Sequence, residues 1–127
     1  MSSEQGTSLQ ASTQLISGYG DGRFQIAGET HAGSVFVLPE KTAPWGITTA
    51  EQITPEPLIE TFVPEGQVQV LLIGCGPTFV PPPKGLRAAL SAAGLTLEWM
   101  DTGAACRTFN VLLSENRAVG AALIAVE

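Results

Sequence analysis

The stretch VQVLLIGCGPTFVPPPKGLRAALSAAGLTLEWMDTGAACRTFNVLLSENRAVGAALIAV, residues 68–126, decides the fold. Its apolar residues change period four times. Residues 68–73 form a short β-branched and leucine run, which predicts a buried strand before Gly74-Cys75-Gly76-Pro77 and the prolines 81–83. In residues 84–94, Leu86, Ala89, Leu90 and Ala93 recur at helical spacing, and Gly94 ends the helix. Residues 95–100 read as a second strand. Asp101 or Thr102 can cap a second helix running to about Glu115, with Ala105, Phe109, Leu112 and Leu113 on its apolar side. Residues 118–126 close as a third strand. A strand–helix–strand–helix–strand series of this spacing implies parallel pairing with right-handed crossovers and an α/β class.

Upstream, the pattern is strand-like from Leu15 to Leu38. Asp21-Gly22 is a favourable turn pair ahead of an alternating segment in which Phe24 and Ile26 share a face. The turn-prone Gly28-Glu29-Thr30 precedes the run GSVFVLP, which Pro39 ends, so two antiparallel strands are expected. This β segment joins the sheet edge or the other layer. Residues 40–57 hold several prolines and read as irregular, anchored by Trp45 and Ile47. Thr54-Pro55-Glu56 opens a short helix.

Length and composition set the outer bounds. A chain of 127 residues suits one domain, so residues 1–127 are expected to form a single α/β domain, with residues 1–12 as a polar flexible tail. The chain is 44% hydrophobic and only 14% charged, with a mean hydropathy of +0.22. It is therefore core-rich, and some apolar surface is left for a partner. Twelve acidic residues against six basic give a net charge of −6. The cations Arg23, Lys41, Lys84, Arg87, Arg107 and Arg117 are scattered, which argues against a phosphate-backbone interface and so against nucleic acid. No apolar run approaches the ~18 residues of a transmembrane helix. The N-terminus has no signal-peptide pattern, and two cysteines make no disulfide framework, so the cytoplasm is the expected compartment.

The segment Asp-Thr-x-x-Ala-Cys-Arg-Thr-x-Asn, Asp101 to Asn110, is the most specific motif. With LLIGCG, ISGYGDGRFQIAG, GSVFVLP and Pro44-Trp45, it resembles the Mth-domain family of small proteins, from about Leu15 to Val126. That family includes the mitochondrial complex I assembly factor 3 group and the adipogenesis-associated Mth-domain protein. The resemblance implies a three-layer α/β sandwich around a mixed, largely parallel central sheet, with the N-terminal antiparallel β segment attached. For the mitochondrial relatives it also implies a role in assembling respiratory complex I with a partner assembly factor, and no established catalytic activity comes with the family. The chain departs from the family at Cys75, where a threonine or another small residue often stands between the two glycines.

In open α/β sheets, ligands bind beyond the C-terminal ends of parallel strands. Two loops are expected there, and their residues Gly74, Cys75, Gly76, Thr78, Asp101, Thr102, Cys106, Arg107 and Asn110 form the candidate ligand or partner crevice. Glycines admit close backbone approach, and a helix N-terminus favours an anion. That favour amounts to only about 0.3–1 kcal/mol, so Arg107 and the hydroxyls of Thr102 and Thr108 would have to add to it. The plainer alternative is a tight turn with Asp101 as an N-cap. The GxG lacks the third glycine of a dinucleotide fingerprint.

Cys75 and Cys106 could form a reactive pair, yet cysteines so placed are more often small buried hydrophobes. His31, expected in a solvated turn, has no companion ligands and no nearby nucleophile, so neither a metal nor a cofactor is expected. Asn110 sits mid-helix, where asparagine needs a contact to justify it. Arg107 and Arg117 can pair with Glu98, Glu115 or Asp101. With no acid–base–nucleophile set, a non-catalytic protein-interaction or assembly factor is expected, with an unidentified protein partner or a homodimer. The alternative is an anion-binding enzyme or sensor using the crevice.

Overall fold

The computed structural model describes residues 14–127; the expected tail, residues 1–12, lies outside them. A meander of three antiparallel strands, β1 (Ile16–Gly20), β2 (Arg23–Ile26) and β3 (Glu29–Ala32), comes first among the described residues. Both of its turns, Asp21-Gly22 and Ala27-Gly28, have two consecutive residues at positive φ. Such left-handed pairs match the natural twist of a hairpin. The second turn falls at Ala27-Gly28, one residue earlier than the glycine-led turn the sequence signalled. Glu29 and Thr30 thereby enter a third strand, and the two strands expected to pair antiparallel are split: Arg23–Ile26 pairs within the meander, whereas Val35–Val37 of the run GSVFVLP joins the larger sheet.

A five-stranded mixed sheet follows: β4 (Val35–Val37), β5 (Thr42–Pro44), β6 (Val70–Gly74), β7 (Thr96–Met100) and β8 (Val119–Leu123), in the order β5-β4-β8-β6-β7. Strand β6 is parallel to β7 and β8, whereas β4 runs antiparallel to β8 and β5. The proline-rich stretch after Pro39, expected to be irregular, contributes β5 and a 3-10 turn at Ala50–Gln52. Three α-helices complete the described residues: α1 (Pro55–Phe62), α2 (Leu86–Ala92) and α3 (Thr102–Ser114).

Strand alternation sends side chains to two cores. Leu71 and Ile73 pack with Leu58, Phe62, Leu86 and Leu90 of α1 and α2 on one face. Leu72 joins Ala105, Cys106 and Phe109 of α3 together with Ile16, Phe24 and Ile26 of the meander on the other. The result is a three-layer α/β sandwich. Trp45 packs on Phe36 with ring centroids 5.2 Å apart, and Trp99 donates its indole N–H to the Val80 carbonyl at 2.6 Å.

Candidate functional site

Parallel registry brings Gly74 opposite both Met100 and Leu123, so the loops after β6 and β7 converge at one sheet end. Their residues meet each other closely. Thr102 is fully buried. Its hydroxyl accepts from the Gly76 N–H at 3.1 Å and donates to the Ile124 carbonyl at 2.8 Å. In return, the Thr102 N–H donates to the Gly76 carbonyl at 2.9 Å. Asp101 caps α3 through its carboxylate, which accepts from the Ala104 N–H at 2.9 Å. The Gly76, Thr102 and Ala104 N–H groups, which could face an anion, are thus used within the chain.

Gly74 shows why this packing is possible. A Cβ there would lie 2.8 Å from the Thr102 Cα and 3.1 Å from a Leu123 methyl. The first neighbour is backbone and has no rotamer to yield. Gly74→Ala is therefore expected to lower stability by about 1–3 kcal/mol, read as a lower urea midpoint; an unchanged midpoint would refute the close approach.

The other candidate residues divide. Thr78 is exposed, and its carbonyl stands 3.5 Å from the buried Cys75 Sγ. Cys106, Arg107 and Asn110 lie one to two turns into α3 and face β1 instead of the strand ends. Together with residues 16–19 they line a recess of about 340 Å³. Asn110 receives the Ile16 N–H at 2.9 Å and donates to the Ile16 carbonyl at 2.7 Å, which is the contact its mid-helix position called for.

Arg107 is exposed and reaches the Tyr19 hydroxyl at 3.4 Å. The pairing of Arg107 or Arg117 with Glu98, Glu115 or Asp101 does not form. Among the described residues the one ionic contact is His31 to Glu29 at 4.0 Å. That histidine lies in β3, partly buried, not in a solvated turn. Tyr19, Ser17 and Gly18 are members of this recess that sequence reasoning missed. Tyr19 carried no local signal, because a contact far along the chain places it here: a Cβ on Gly103 would come within 2.6 Å of the tyrosine hydroxyl.

Burial pushes the Cys106 thiol up from 9.0, the value of a free thiol, to about 12, and the nearby Arg107 charge offsets only part of this. The helix dipole does not make it a nucleophile. Cys106 is expected to react with a disulfide reagent at pH 8 only at the rate of unfolding, in contrast to a small free thiol; rapid labelling of the native protein would refute this. Because the folded value is the higher one, the contribution to stability is full below 9.0. It falls as pH rises from there towards about 12.

A family model for proteins of unknown function, DUF498/DUF598, matches residues 16–124. The chain belongs to this family. An uncharacterized protein of Rhodobacter capsulatus is 43% identical over 110 residues, covering 86% of this chain and 82% of that protein. A Danio rerio relative, named NADH dehydrogenase (ubiquinone) 1 alpha subcomplex assembly factor 3, is 34% identical over 87% of this chain. The chain spans 63% of that relative's length.

Among solved structures, a Bartonella henselae protein described as an outer membrane protein superposes with a TM-score of 0.81 at 38% identity, covering 92% of this chain and 98% of that one. A Bordetella pertussis protein described as an Mth938-like domain gives 0.76 at 26% identity, over 91% and 86% of the two chains. No helix among the described residues of the DUF498/DUF598 chain is long and apolar enough to cross a membrane.

Proposed function

We propose that this chain is a non-catalytic protein-interaction factor that assists the assembly of respiratory NADH dehydrogenase. The family supports the assembly role, since relatives across animals carry the assembly-factor name. The observation that carries the non-catalytic part is chemical. At the sheet end where α/β enzymes hold substrate, the backbone donors of Gly76, Thr102 and Ala104 are taken up inside the chain. Both thiols are buried. What remains accessible is surface, and surface serves recognition.

Deletion of the gene tests the reading. The expected result is a loss of fully assembled NADH dehydrogenase on native gels, with partial assemblies accumulating, and restoration by the wild-type chain. Undiminished assembled enzyme in the deletion strain would overturn it. A melting temperature raised by phosphate, nucleotide or carboxylate ligands, together with normal assembly, would instead favour the anion-binding enzyme or sensor.

A further inference from the structure

We infer that the recess between β1 and α3 receives a carboxylate from an extended segment of a partner protein, held by Arg107 and the Tyr19 hydroxyl. This rests on the interaction reading above and names the chemistry of the contact. β1 is an edge strand, since the meander runs β1-β2-β3. An edge strand offers its unpaired backbone groups to an added strand. At Ile16 that flank is already filled: the Asn110 amide gives and takes one hydrogen bond there, at 2.7 and 2.9 Å, as a paired strand residue would. Asn110 thus closes one end of the edge, and the recess of about 340 Å³ opens beside the next residues of β1.

At Tyr19 and Arg107 the recess carries its charge. Tyr19 is opposite Phe24 in the meander, so its ring lies on the face turned towards α3. Its hydroxyl rests above Gly103, in space that a Cβ would take. Arg107 is 3.4 Å from that hydroxyl and has no carboxylate within ion-pair distance among the described residues. None of the Lys and Arg side chains meets a carboxylate among the described residues, and Arg107 is the one cation that lines this recess. Its planar fork suits a carboxylate. One guanidinium and one hydroxyl balance a single negative charge, whereas a phosphate dianion would remain half compensated.

The probe is N-acetyl-tetraglutamate amide, titrated into the full chain and followed by backbone amide shifts. Saturable shifts are expected at residues 17–19 and 107, and the tetraglutamine peptide should give none. Arg107→Ala should weaken binding about tenfold, and Arg107→Lys should restore part of it. Tyr19→Phe should weaken it less. Both arginine variants should keep the wild-type melting temperature, since the side chain is exposed.

Absence of saturable shifts at millimolar peptide, equal binding by Arg107→Ala, or equal shifts from tetraglutamine would overturn the inference. Inorganic phosphate binding more tightly than the peptide would overturn it in favour of a phosphate site. The two proposals fail separately. A silent recess in a strain whose NADH dehydrogenase still depends on this chain sinks only the carboxylate contact. Normal assembly after deletion sinks only the assembly role.

Discussion

Phe109→Ala is expected to lower the unfolding free energy by about 3–5 kcal/mol, the range found when a buried aromatic is removed from a core. Phe109 is fully buried. It projects from α3 into the cluster that holds Phe24 and Ile26 of the meander and Leu72, Val119 and Leu123 of the large sheet. Three structural units therefore lose contacts through one substitution, and a helix packed against both the large sheet and β1 cannot easily collapse into the void. Against a typical total of about 5–15 kcal/mol, such a loss brings the chain close to unfolding at ordinary temperature. Urea unfolding measures it. A change below about 1 kcal/mol would mean that α3 and the meander do not share this core.

Thr102→Val is the second large effect, expected at about 2–4 kcal/mol although the substitution preserves shape. Valine would leave the Gly76 N–H and the Ile124 carbonyl without their hydroxyl partner at a fully buried position. Each orphaned group costs about 1–3 kcal/mol in desolvation that nothing returns. Thr102→Ser keeps the hydroxyl and loses only a methyl, so about 1 kcal/mol is expected there. The contrast between the two variants, read from urea midpoints, isolates the hydrogen bonds from the packing. Equal losses would show that the hydroxyl bridges nothing. Faster exchange of the Gly76 amide in the valine variant should accompany the larger loss.

Both sites show where sequence reasoning reaches. The alternation of periods across residues 68–126 specified the three parallel strands and two intervening helices, and the convergence of the two βα loops followed from their parallel order. The Asp101 cap was visible because its acceptor and donor are three residues apart. The third strand of the meander was not, since the choice of Ala27-Gly28 over Gly28-Glu29 depends on backbone twist at an alanine with φ 52°. β5 is three residues long and ends in proline. Such a strand has no period of its own, and it exists because β4 offers it an edge.

By itself, the sequence determined the α/β class, the order of the C-terminal elements and the apolar faces, because these depend on spacing within a few residues. Tertiary structure alone decided what Gly74, Thr102 and Asn110 are for. Their partners stand at Thr102, at Gly76 and Ile124, and at Ile16, separations of up to 94 residues along the chain. It also decided that Arg107 faces a tyrosine and open space instead of an acid. Hydrogen bonds and close contacts are short-ranged and directional, so they are set by which surfaces the packed layers bring together.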